Sequence, residues 1–289
     1  MKTVDITYRY EAQDTPARPR PLDSVAALHR LNEGNRAFAA LLEGAPDGSP
    51  RVQQVISVDP RDLGLLSDDA GLPKQRPFAA VLGCSDARVP IELIFNEGPN
   101  DLFVIRVAGN GLGAEVLGSL KYAVEQLSGS LKLIVVLGHS NCGAITAAAD
   151  VFLNPAEYLP FATKHSLRNI LDGLLVVVQA CARRIQGVFG PDVLRHPGYR
   201  KALIEAAIVT NAALDAYSIQ QEFGAKDPAG LQAVYGVYLL ETRHVWAPRS
   251  GELKETGLAA APRDPAGFIE LSNAILQSGR IASLLQASE

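Results

Sequence analysis

Three short apolar runs dominate the middle of the chain: FAAVLG at 78–83, LFVIRVAG at 102–109 and LKLIVVLG at 131–138. Each ends at a glycine and is followed by a segment of helical character, as at 114–127. Unbroken Val/Ile/Leu runs separated by helices predict strands buried on both faces, hence a mostly parallel central β-sheet flanked by helices. The expected fold class is α/β, with a late strand at 233–241. Ser24 reads as a helix N-cap, and Leu28, Leu31, Phe38 and Leu42 recur at near-helical spacing, which predicts an N-terminal helical arm over 24–43. Further helices are expected at 143–152, 165–189, 201–223 and 265–285. Residues 1–23 read as a poorly structured N-terminal extension, 44–77 as irregular connection, and WAPRSGELK at 246–254 as a turn. No composition break divides residues 24–289, so one domain is expected there, with 151–200 as a helical insertion outside its catalytic core.

Composition narrows the function classes. With 47% hydrophobic residues in 289, the chain can bury a sizeable core. The net charge of −4 and scattered basic residues carry no electrostatic footprint for nucleic acid or an anionic membrane surface, so neither is an expected partner. The uninterrupted apolar stretches fall short of a bilayer span, and the N-terminus has no export-type apolar region. Three cysteines make no disulfide framework and suggest a reducing, cytoplasmic setting.

Two of those cysteines stand where chemistry is expected. Cys84 follows the first run and His139 the third, so both fall at carboxyl ends of predicted parallel strands, where open α/β sheets build ligand sites. Cys142 lies three residues after His139, close enough for a tight turn to aim both side chains at one point. Two thiolates and an imidazole suit zinc; iron–sulfur clusters usually want four thiolates. Three protein ligands leave one tetrahedral position open, the mark of a catalytic site at which water can be acidified to a pKa of about 7. Cys181, inside the apolar stretch LLVVVQACA, reads as a core residue. Pro90 favours an extended CSDARVP segment in which Cys84, Asp86 and Arg88 share a side, with Arg88 holding Asp86 and Asp86 accepting from water at the metal.

At these residues the sequence resembles the beta-class carbonic anhydrases. The resemblance runs over CSDARVP (84–90), PNDLFVIRVAGN (99–110) and GHSNCGA (138–144), and more loosely over RLNEGNRAF and LLET. It implies one Zn2+ per subunit on Cys84, His139 and Cys142, and Asp86 with Arg88 as a catalytic dyad. Gln75 is implied as a donor to a substrate oxygen and Phe103 as an apolar wall of the pocket. The implied reaction is reversible hydration of carbon dioxide to bicarbonate in a homodimer or homotetramer, the N-terminal helix packing on the partner. Ala87, Asn100, Val107 and Ala144 depart from the commonest family pattern, though Asn at position 100 tolerates a left-handed backbone. Hydrolysis of carbonyl sulfide or carbon disulfide on the same zinc site, or a non-catalytic zinc-binding role, are the alternatives. Gly109, Gly111 and Ala114 also match a dinucleotide-binding fingerprint, but the next strand ends in His139 rather than an acidic residue.

Overall fold

The computed structural model describes residues 3–11, 18–41, 43, 51–65, 72–163, 165–224, 230–248 and 257–286. The strands are β1 (Thr3–Tyr10), β2 (Arg51–Val58), β3 (Ala79–Gly83), β4 (Leu102–Arg106), β5 (Leu133–His139), β6 (Gln232–Tyr238), β7 (Val245–Trp246) and β8 (Ala259–Ala260). The helices are α1 (Ser24–Ala40), α2 (Ile91–Ile94), α3 (Ala114–Gln126), α4 (Gly143–Leu153), α5 (Tyr158–Ala162), α6 (His165–Phe189), α7 (Tyr199–Phe223), α8 (Pro265–Gln277) and α9 (Gly279–Leu285).

The main sheet has the order β4-β3-β5-β6-β7, with β8 also on β6; β3 to β6 are parallel, and β7 and β8 run antiparallel to β6. Every residue of β3 and β5 is buried, as their unbroken apolar character predicts for central strands. Their side chains alternate between two cores. Ala80, Leu82, Ile134 and Val136 face the larger one, built with α3, α4, α6, α7, α8 and α9. Ala79, Val81, Leu133, Val135 and Leu137 face the smaller one, built with α1 and α2. Only a residue without a side chain lets α1 sit this close to the end of α2: a Cβ on Gly34 would lie 1.8 Å from the Phe95 carbonyl oxygen. By length and composition α7 would pass for a membrane span, but 72% of its apolar window is buried inside the protein, against β5 and β6.

Several boundaries differ from expectation. The cap of α1 is Asp23, whose carboxylate accepts from the Ala26 amide at 2.8 Å, rather than Ser24. The 1–23 extension is not simply poorly structured, because Thr3–Tyr10 pairs in parallel with Arg51–Val58 inside the supposedly irregular 44–77 segment. In β1 Val4, Ile6, Tyr8 and Tyr10 alternate with Thr3, Asp5, Thr7 and Arg9, a strand signal that the reading of 1–23 passed over; β2 alternates less cleanly and pairs with it from far along the chain. The last helix is broken at Ser278, which adopts extended backbone (φ −59°, ψ 141°) and turns its hydroxyl onto the Ile275 carbonyl. In the 151–200 segment α6 packs on α4 and α7, and Leu171, Leu174, Val178 and Ile185 join the larger core. Of the 246–254 turn, Trp246 belongs to β7 and residues 249–254 lie outside the described residues.

Charge stitches the N-terminal lead to this body. Glu97 is fully buried and takes both oxygens to Arg30, at 3.0 and 2.5 Å, and one to Arg18 at 3.1 Å. Arg30 also stacks over the Phe78 ring at 4.5 Å, directly before β3.

Candidate metal centre

Register brings the three metal-type residues together. Gly83 pairs with Leu137, so Cys84 emerges beside the end of β5, where His139 is the last strand residue. The chain then reverses through Asn141 in the left-handed region (φ 56°), a conformation Asn tolerates, and Cys142 becomes the N-cap of α4. The Cys84 and Cys142 sulfurs and a His139 ring nitrogen lie within 4.8 Å of one another, and all three residues are buried.

The imidazole is set for a cation. His139 Nδ1 lies 3.0 Å from the Ser140 carbonyl oxygen, which only accepts, so Nδ1 carries the proton and Nε2 presents a lone pair. That Nε2 is buried and has no hydrogen-bond partner among the described residues, although it lies 3.9 Å from Asp86 Oδ2. An orphaned acceptor beside two thiols is costly unless something electrophilic fills the gap, and a soft divalent cation fits it. The sulfurs are polarised in the same sense. Donation from the Cys142 thiol draws the Cys84 thiol well below its usual range, toward the thiolate, and the Gly109 amide adds a contact at 3.4 Å. The Cys142 thiol is correspondingly pushed up while it shares that proton.

The dyad forms, by a different backbone from the one expected. Arg88 grips Asp86 with Nε on Oδ1 at 3.0 Å and Nη2 on Oδ2 at 2.7 Å. Yet 84–88 is not an alternating strand: the Val89 amide donates to the Asp86 carbonyl at 3.0 Å, and the Arg88 amide to Asp86 Oδ1 at 2.9 Å. The Asp side chain closes its own turn, which competes successfully with extension. Hydrogen bonding from Arg88 keeps the Asp86 carboxyl well below the usual carboxylate range. Arg106, at the end of β4, braces the turn from below, reaching the Cys84 carbonyl at 3.1 Å and the Asp86 carbonyl at 2.6 Å. Sequence reasoning passed over it, although its position opposite Gly83 at the end of LFVIR was a signal. Ser140 was missed too; its buried hydroxyl accepts from the Leu240 amide and donates to Glu241, both at 2.9 Å.

Two expected residues do not join the group within one chain. Gln75 is exposed and precedes the amino end of β3, whereas Cys84 follows the carboxyl end; the strand between spans about 16 Å. Phe103 pairs in register with Ala80, about 13 Å of strand before Cys84, and its ring stands 6.3 Å from that of Tyr122. Asn100 does adopt the left-handed backbone (φ 66°). Cys181 is a core residue with its thiol pushed up to about 11 by burial. The glycine-rich loop after β4 has its Gly109 amide directed at Cys84 rather than at a phosphate.

An open, mostly parallel α/β sheet with a buried Cys–His–Cys group at its strand ends makes a site that could hold a metal ion on three side chains. The family model described as carbonic anhydrase matches residues 79–191. Carbonic anhydrase 2 of Mycobacterium tuberculosis is 45% identical over 124 residues, 43% of this chain and 52% of that protein. The carbonic anhydrase of Mycolicibacterium smegmatis is 52% identical over 123 residues, again 43% and 52%. The chain thus spans about half the length of these curated relatives. A solved Coccomyxa beta-carbonic anhydrase, in complex with acetazolamide, aligns with 66% of this chain and 77% of its own, at 26% identity and a TM-score of 0.44. Over residues 79–191 the chain is thus similar to the carbonic anhydrases.

Proposed function

We propose that the protein catalyses reversible hydration of carbon dioxide to bicarbonate and a proton, with one zinc ion held by Cys84, His139 and Cys142. The observation that carries this is the orphaned His139 Nε2, beside two thiols and 3.9 Å from the ionised Asp86 carboxylate. The zinc would supply Lewis acidity, making water a nucleophile at neutral pH. Asp86, an acceptor only, takes the water's O–H and so turns an oxygen lone pair toward the carbon of carbon dioxide. Arg88 fixes the carboxylate in both rotation and charge through its paired bonds, and Arg106 fixes the backbone that carries it. The proton released leaves to buffer.

The reading includes a homo-oligomer. Gln75 cannot reach the Cys–His–Cys group of its own chain, so its assigned role requires a second copy to present it. A reducing, cytoplasmic setting is part of the same proposal, and the three free, buried cysteines support it. Stopped-flow assays of the zinc-loaded protein should register carbon dioxide hydration that falls by about 10²-fold or more in Asp86→Asn, in line with typical losses of a general acid–base group. Faster turnover of carbonyl sulfide or carbon disulfide than of carbon dioxide would replace the substrate, and turnover unchanged by Asp86→Asn would remove the mechanism.

A further inference from the structure

Behind Cys84 lies a polar cluster that the proposed reaction does not use. After β4 the backbone passes through two successive left-handed residues, Gly109 (φ 66°, ψ 19°) and Asn110 (φ 47°). A side chain at Gly109 would be strained by the left-handed backbone and tightly placed, its Cβ 3.1 Å from the Cβ of Ala144 and 3.2 Å from Leu174 Cδ1. This turn aims the Gly109 amide at the Cys84 sulfur, 3.4 Å away. Two asparagines hold it. Asn211, on α7, donates one amide hydrogen to the Gly109 carbonyl at 3.2 Å and the other to Asp215 Oδ2 at 3.2 Å. Asn110 donates to the same Asp215 oxygen, also at 3.2 Å.

We propose that Asp215 is a positioning residue of the metal centre, fixing through Asn110 and Asn211 the Gly109 amide that donates to the Cys84 sulfur. One oxygen gathers amides from two elements and decides which way each points. Without that acceptor, the Asn110 amide and the second amide hydrogen of Asn211 lose their partner, both side chains are freed to reorient, and the left-handed turn loses its support. Oδ2 accepts both bonds whether or not the other oxygen carries a proton, so an asparagine at 215 can do the same work. An N–H bond to a ligating thiolate withdraws charge from the sulfur, and such outer partners typically change metal affinity 10–100-fold. The inference rests on the reading of Cys84 as a metal ligand.

Cobalt(II) separates the two. In metal-free protein titrated with cobalt, the wild type should show a thiolate-to-cobalt charge-transfer band; no such band would overturn the ligand reading and this inference with it. Given the band, Asp215→Ala should move it and weaken cobalt binding by about 10-fold or more, while Asp215→Asn restores both. Asn211→Ala should move the band in the same direction, and carries the test alone if Asp215→Ala does not fold. A wild-type band and affinity in Asp215→Ala, or in Asn211→Ala where that carries the test, would overturn the positioning role and leave the ligand reading standing.

Discussion

Replacing Ser140 with alanine tests how the imidazole is aimed. Ser140 is fully buried between His139 and the β6 end, with its amide on the Tyr238 carbonyl at 2.9 Å. Its hydroxyl accepts from the Leu240 amide and donates to Glu241, which also receives Arg280. Ser140→Ala strands the Leu240 amide, a penalty of about 1–3 kcal/mol, and removes a bond to a charged acceptor that keeps its arginine. The two together should cost about 2–3 kcal/mol, or roughly 3–5 °C in Tm for a chain of this size. Because the Ser140 carbonyl orients His139 through Nδ1, zinc affinity should also fall about tenfold. Urea unfolding of metal-free protein under reductant measures the first effect, and competition with a chromophoric chelator measures the second. Ser119→Ala, which removes only an exposed hydroxyl bonded within α3, serves as the control and should change stability by less than about 0.5 kcal/mol. A Ser140→Ala protein that matches this control in both assays would refute the reasoning.

The buried Glu97 offers a second test. Arg30→Met strips the carboxylate of its bidentate partner and should cost about 3 kcal/mol, whereas Arg30→Met with Glu97→Met should recover most of it, because the fully buried charge is gone and only the partly exposed Arg18 and Asp101 lose a partner. Equal instability of the single and double variants in urea titrations would count against that account. The pH dependence of stability tests Asp215. Lost solvation pushes its carboxyl from 3.8 up to about 7, against the opposing pull of Asn110 and Asn211. A folded pKa above the unfolded one stabilises fully below about pH 3.8 and loses that contribution as pH rises through about 7. Wild-type stability should therefore fall relative to Asp215→Asn between roughly pH 4 and 7; parallel curves from urea melts would contradict the assignment.

Much of the metal-site half was legible in the residues, because strands buried on both faces must be apolar throughout and the turns after them must supply the polar groups. β3, β5 and the Cys84–His139–Cys142 set followed from that alone. What escaped depends on distant partners or on a side chain that overrides its backbone. Strand β2 lacks a clean alternation and is defined by its pairing with β1, whose own alternation was readable. Asp86 folds its own turn where Pro90 suggested extension. The Gly109, Asn110, Asn211 and Asp215 cluster joins residues about a hundred positions apart, and no local spacing announces it. The placement of Gln75 shows the limit of spacing in the other direction: nine residues before Cys84 is a fixed interval, but a strand intervenes and carries the two apart.

The central claim is that one zinc on Cys84, His139 and Cys142 confers carbon dioxide hydration. Zinc titrated into metal-free protein, with bound metal and stopped-flow hydration followed on the same samples, tests it most directly. Hydration should rise in step with zinc and saturate at about one equivalent per chain, while Cys84→Ser should lose most of both. Hydration without zinc, or a Cys84→Ser protein that binds zinc and turns over as the wild type does, would contradict it.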